Sequence, residues 1–202
     1  MSELATIAAT IFKRAGKAER YLVAIAGPPA SGKSTRAEAL ADLFQPGTAA
    51  VVPMDGFHYD DGLLEKLGLR NRKGAPETFD FAGFATLLRR LKANEADVAI
   101  PLFDRNLEIS RAGAAIVPAS VKFILVEGNY LLLDEEPWKD LASLFDFSIF
   151  VDAQREELER RLVQRWRDHG RPDDAARKWI ETNDLPNVDR VLRARRKADL
   201  VL

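Results

Sequence analysis

The chain has 202 residues, 47% hydrophobic and 30% charged, with 30 Lys and Arg against 31 Asp and Glu. That length suits one α/β domain with a sizeable core, and the near-neutral balance gives no basic field for general nucleic-acid binding. The chain has no cysteine and only two histidines, His58 and His169. This excludes disulfides, thiol nucleophiles and Cys- or His-rich metal cages, so a bound metal is expected to be a hard cation on oxygen ligands.

Residues 4–15 read as a helix with Leu4, Ile7, Ala8 and Ile11 on one face. Residues 1–21 lack the basic start of a signal peptide, and no run approaches the ~18 apolar residues of a membrane span. A soluble, cytoplasmic protein is therefore expected. Short apolar runs at 21–26, 49–53, 122–126, 147–151 and 199–202 read as strands buried on both sides. They alternate with helical runs at 34–44, 81–93, 155–169, 172–181 and 187–196. Asp80 is placed to cap the second of these helices and Gly170 to stop the third. The alternation predicts a three-layer α/β/α domain over residues 1–202 with a parallel sheet. It lapses at 57–117, where runs at 98–103 and 114–117 are expected to pair as a ribbon. This stretch reads as an insertion over the carboxyl edge of the sheet, where open α/β sheets bind ligands.

Gly27-Pro28-Pro29-Ala30-Ser31-Gly32-Lys33-Ser34 fits G-x-x-x-x-G-K-[ST] at every fixed position, directly after a strand and directly before a helix. Such a loop lets the backbone approach phosphates, and N–H groups from about Ala30 onward face the anion with the helix N-terminus behind them. Gly27, Ala30, Ser31, Gly32, Lys33, Ser34 and Thr35 are the expected nucleotide contacts. Lys33 is expected on the β- and γ-phosphates and the Ser34 hydroxyl on Mg²⁺, which implies ATP and Mg²⁺ as cofactors.

Three carboxylates follow expected strands: Asp55, Glu127 and Asp152. Asp55, in Met54-Asp55-Gly56-Phe57-His58, reads as a catalytic base or as a turn aspartate. Glu127 reads as a magnesium-side acid or as a turn cap. Asp152 reads as an N-cap of the arginine-rich helix at 155–169 or as a further acidic site residue. In that helix Leu158, Leu162 and Trp166 mark the buried stripe. Arg161 and Arg165, four apart, read as a lid clamp for a triphosphate or as a solvated face paired with Glu157, Glu159 and Asp168.

Together with Arg72-Lys73-Gly74-Ala75-Pro76-Glu77-Thr78-Phe79-Asp80, Pro101-Leu102-Phe103-Asp104-Arg105, Val126-Glu127-Gly128-Asn129-Tyr130 and Asn183-Asp184-Leu185-Pro186-Asn187, these residues resemble the uridine kinase, pantothenate kinase and phosphoribulokinase group of P-loop kinases. The likeness is greatest to the branch often labelled fructose transport system kinase, and it covers nearly the whole chain. The resemblance implies a P-loop NTPase fold with a five-stranded parallel sheet, Asp55 as base and Glu127 beside magnesium. It further implies Asp104 and Arg105 in the acceptor pocket, and residues 155–171 as a lid bearing Arg165 near the reacting phosphate. His58 and Tyr59 read as acceptor contacts or as pocket wall. Unlike uridine kinases, residues 106–110 hold no histidine, which weighs against uridine. The run 183–187 reads as lying near the adenine or as beginning the last helix.

The function so implied is ATP-dependent phosphorylation of a hydroxyl on a small metabolite, with no nucleic-acid or membrane partner and an open oligomeric state. The alternatives are a nucleotide-hydrolysing switch protein and a nucleic-acid kinase using Arg195-Arg196-Lys197. The chain lacks the Asn-Lys-x-Asp run of guanine-reading GTPases.

Overall fold

The computed structural model describes residues 2–202. Five parallel strands form the sheet in the order β2-β5-β1-β6-β7. They are β1 (Tyr21–Ala26), β2 (Ala49–Pro53), β5 (Phe123–Gly128), β6 (Phe147–Phe150) and β7 (Leu200–Val201). β1 and β5 are buried along their full length, as expected for strands covered on both faces.

Alternation along the strands sends each side chain to one of two cores. Val23, Ile25, Leu125 and Ile149 pack with Ile7 and Ile11 of α1 (Glu3–Ala15) and with Ala37 and Leu40 of α2 (Lys33–Ala41). Leu22, Ala24, Ile124 and Val126 pack on the opposite face with Phe84, Leu88 and Leu91 of α4 (Phe81–Lys92). The architecture is the expected three-layer α/β/α. Asp80 caps α4 by accepting the Gly83 N–H at 2.9 Å.

The segment between β2 and β5 leaves the sheet through a single 3₁₀ turn, Met54–Phe57. It continues through the short α3 (Asp61–Lys66) and α4 into an antiparallel ribbon of β3 (Val98–Asp104) and β4 (Ile109–Val117). The ribbon is longer than the apolar runs suggested, because Ile109, Ser110 and Arg111 extend it by pairing with Asp104, Phe103 and Leu102. Its register shifts between Ile100 and Leu102, at Pro101, which has no N–H to give to a ladder. Gly56 lets the ribbon come down on the turn, since a Cβ there would collide with the Pro101 carbonyl.

After β6 come α5 (Arg155–Asp168) and α6 (Asp173–Trp179). The expected break between the last two helices is absent. A π turn, Ile180–Asp184, joins α6 directly to α7 (Leu185–Arg193). Asp152 does not cap α5: Gln154 holds the cap position, and the Asp152 carboxylate accepts the neighbouring Ala153 N–H at 3.0 Å. Gly170, at φ 69°, supplies the left-handed stop beyond α5. Leu158 and Leu162 form a separate small core with Ile180, Leu185 and Val188, against which Ala30 of the phosphate loop also packs.

Candidate active site

The Gly27–Ser34 motif joins β1 to α2, so the loop lies at the carboxyl edge of the sheet. Ala30 and Gly32 take positive φ, 64° and 85°. This alternation of hand is how successive N–H groups are turned to one side of an anion-binding concavity. The Ser31 N–H is instead used inside the loop, donating to the Pro28 carbonyl at 3.1 Å. Ser34 and Thr35 are exposed on the first turn of α2, and Lys33 lines a cavity of about 340 Å³ above the loop.

β2 and β5 carry the two key acids to the same edge. Glu127 is the register partner of both Ile25 and Pro53, and is only 5% exposed. Its Oε2 has no hydrogen-bond partner. Burial pushes its carboxyl up, opposed by the Lys33 charge and reinforced by Asp55. An unpartnered buried carboxylate oxygen beside the loop is what a site for a nucleotide-bound cation requires. Among the described residues no three acidic or histidine side chains cluster as a metal cage. A cation here would therefore draw most of its oxygens from phosphate and water, as Mg²⁺ commonly does.

Asp55 sits in the 3₁₀ turn and lines the cavity. Arg105, at the tip of the ribbon, donates from Nη2 to Asp55 Oδ2 at 2.6 Å. Burial alone would raise the Asp55 carboxyl. The fields of His58, Arg105, Lys33 and Arg165 outweigh it and bring the value down to about 2. Lys33 is pushed down by burial, against Glu127 and Asp55. Arg165 is likewise lowered, by burial and then by Arg105.

Burial lowers the His58 imidazole, opposed by the Asp55 charge. Its Nδ1 lies 2.8 Å from the Asp55 carbonyl. A carbonyl only accepts, so Nδ1 carries a proton, and in the neutral ring Nε2 is then left as an acceptor. The ring packs on Phe79 and Phe103, at 4.1 and 4.8 Å between centroids.

The two lid arginines separate. Arg165 lines the cavity with Lys33, Asp55 and Arg105. Arg161 bonds Glu157 at 2.6 Å and reaches the Ala30 and Ser31 carbonyls at 3.3 Å, bracing the loop from outside. Tyr59 and Asp104 do not line the cavity. Tyr59 is held by its N–H to the Thr78 carbonyl, and Asp104 accepts the Asn106 and Leu107 N–H groups that form the ribbon tip. Asp104 thus shapes the turn that carries Arg105.

Among the cavity residues not assigned from the sequence, two carry unpaired polar atoms. Asn129 and Asn187 both line the cavity, and each has a buried side-chain oxygen without a partner. Both lie in the quoted runs 126–130 and 183–187, which was the available signal. Asn187, 2% exposed, faces the cavity from the first turn of α7. Asn183, in contrast, donates to the Lys73 carbonyl at 2.8 Å and ties the insertion to the π turn.

The sequence profile described as the Phosphoribulokinase / Uridine kinase family matches residues 22–202. This chain belongs to that family. It is 40% identical over 187 residues to the YggC protein of Escherichia coli (strain K12), covering 91% of this chain and 77% of the relative. It is 30% identical over 208 residues to a pantothenate kinase of Corynebacterium diphtheriae, covering 90% and 67%. A crystal structure from Silicibacter sp. TM1040, given the provisional name fructose transport system kinase, superposes with a TM-score of 0.94 at 46% identity over the whole of both chains. This phosphoribulokinase / uridine kinase family member is a P-loop kinase of the class that acts on small metabolites, and its family does not favour the switch-protein alternative. No helix of the described residues is long and apolar enough to cross a membrane.

Proposed function

We propose that this family member transfers the γ-phosphoryl group of ATP, as its Mg²⁺ complex, to a hydroxyl of a small, hydroxyl-rich metabolite. The observation that carries the reading is a single cavity in which the Asp55 carboxylate faces Lys33 and Arg165 while the buried side-chain oxygens of Asn129 and Asn187 stand without partners. Buried polar groups left unpaired are costly in the free protein and become productive when a ligand pairs them.

In this reading the loop backbone, Lys33 and Arg165 hold the phosphates, and Ser34 and Glu127 hold Mg²⁺, which when bound neutralises charge on the phosphate oxygens. Asp55 takes the proton of the acceptor hydroxyl. A carboxylate near 2 is a weak base for that task. Two of the charges that depress it, Lys33 and Arg165, are those the phosphates would neutralise, so donor binding raises Asp55 toward usefulness. Arg105 holds only Oδ2 of Asp55, which leaves Oδ1 to take the proton of the acceptor hydroxyl. Residues 57–117 thereby act as the acceptor-covering insertion and 155–171 as the lid of one domain, in the cytoplasm, without a nucleic-acid partner.

The test is ADP release with Mg-ATP across sugars, nucleosides, pantothenate and glycerate. One acceptor is expected to raise turnover at least about tenfold with phosphorylated product, and Asp55→Ala and Lys33→Ala are expected to abolish the increase. If none stimulates, and Asp55→Ala leaves basal hydrolysis unchanged, Asp55 is not the base.

A further inference from the structure

One half-buried carboxylate at the cavity has no part in the reaction just described. Asp184 lies on the π turn and lines the cavity with Trp166, Arg171 and Trp179, next to Arg165. Trp166 donates from Nε1 to Asp184 Oδ2 at 2.6 Å, and Trp179 lines the same end of the cavity. The Arg171 guanidinium lies over both rings, 4.3 Å from the Trp166 centroid and 4.8 Å from that of Trp179. The rings meet edge-on at 6.2 Å. Asp184 thus ties the π turn to α5 through Trp166, and Arg171 stacked on both rings joins the α5–α6 loop and α6 to the same cluster.

The π turn makes this meeting possible. The Leu185 N–H reaches back five residues to the Ile180 carbonyl, so one extra residue enters the turn and the side chains beyond it are rotated relative to a plain α-helix. A conformation of this kind is uncommon and forgoes regular bonds.

Charge explains what the carboxylate does there. Arg165 faces Arg105 and Lys33 across the cavity, and repulsion alone would turn it outward to solvent. Asp55 attracts it from the far wall and Asp184 from its own side. Arg165 precedes Trp166, so the indole bond also fixes the backbone that carries the guanidinium.

We infer that Asp184 is a positioning residue: through its bond to Trp166 and its charge beside Arg165, it holds the lid with Arg165 turned into the phosphate side of the cavity. This rests on the reading that Arg165 contacts the transferred phosphate.

The experiment is calorimetric binding of Mg-ADP and of the Mg complex of a β,γ-imido ATP analogue to the full chain. The variants are Asp184→Ala, Asp184→Asn, Trp166→Phe and Arg165→Ala, each with its melting temperature and Trp emission. Arg165→Ala is expected to weaken the triphosphate about tenfold and ADP less than about twofold. Asp184→Ala and Trp166→Phe are expected to show the same selective loss. Asp184→Asn, which keeps an acceptor for the indole but no charge, is expected to fall between Asp184→Ala and the parent. Trp emission is expected to shift in both Asp184 variants. If Arg165→Ala shows the selective loss while the Asp184 and Trp166 variants bind like the parent, or lose both nucleotides equally as their melting temperature falls, Asp184 is merely structural and the inference fails. If Arg165→Ala itself leaves the triphosphate affinity unchanged, the phosphate role of Arg165 fails, and this inference with it. Should Asp184→Ala not fold, Asp184→Asn and Trp166→Phe decide the matter.

Discussion

Neutralising a catalytic carboxylate often stabilises an enzyme, because active sites hold groups the fold alone would not choose. Asp55→Asn is expected to do the opposite here. The Asp55 carboxyl falls from an ordinary value near 3.9 to about 2 in the folded chain, because the cations around it outweigh its burial. A folded value below the unfolded one means that ionised Asp55 stabilises the fold above about pH 4, and that this contribution is lost as pH falls from about 4 to about 2; the share owed to His58 fades once that ring loses its proton. Without the share owed to His58, the drop corresponds to about 2 kcal/mol at pH 7. Asp55→Asn is therefore expected to lower the melting temperature at pH 7 by about 4–8 °C at this chain length. Thermal and urea denaturation at pH 7, repeated in steps down to pH 2.5, form the assay. The gap between parent and variant should close in the acid range. It should also narrow with a bound ATP analogue, whose phosphates supply the missing negative charge. A variant as stable as the parent at pH 7, or more stable, would refute the claim that the cations around Asp55 are held in place by it.

Three further outcomes follow from the same geometry. Gly56→Ala places a Cβ against the Pro101 carbonyl, so a loss of about 1–3 kcal/mol in urea denaturation is expected, with weaker acceptor stimulation as the ribbon lifts Arg105 from Asp55. Arg161→Ala removes the brace on the Ala30 and Ser31 carbonyls, and nucleotide affinity by calorimetry is expected to fall about three- to tenfold while Glu127 and Lys33 stay in place. Lys73→Met removes a 7%-exposed ammonium paired with Asp61 at 2.7 Å and Glu108 at 3.3 Å. Both partners are partly solvated, so the expected cost is about 1–2 kcal/mol rather than the larger penalty of stranding a buried charge. Limited proteolysis should then cut first near residues 105–109.

How much of this molecule can be read along the chain depends on how far apart the cooperating residues lie. The phosphate loop is contiguous, and its Gly, Lys and Ser positions answer to local backbone geometry and to one anion, so residues 27–34 disclose it unaided. The inner strands are likewise legible, because burial on both faces demands unbroken apolar runs, whereas β2 and β7 lie at the sheet edges and are only partly buried, contrary to the expectation. Asp55 and Glu127 could be placed near the loop because a parallel sheet delivers all its strand ends to one edge. Helical spacing put Arg161 and Arg165 on one face, but one turn also separates them by about 6 Å along the axis. That rise is enough to put one over the loop carbonyls and the other into the cavity.

Only the tertiary structure could pair Arg105 with Asp55, fifty residues away, because that bond depends on a ribbon seated over Gly56 and bent at Pro101. The same holds for Asn187 facing the cavity and for Asp184 under Trp166. Hydrophobic periodicity has no signature for a single π turn, and the side-chain bonds that reward it join segments with no local dependence on one another. The sequence by itself determined the layered sheet and the class of phosphate chemistry, because both rest on short-range rules. The orientation of the acceptor wall and of the lid was decided by long-range contacts, which form only when the insertion and the last three helices close over the same edge.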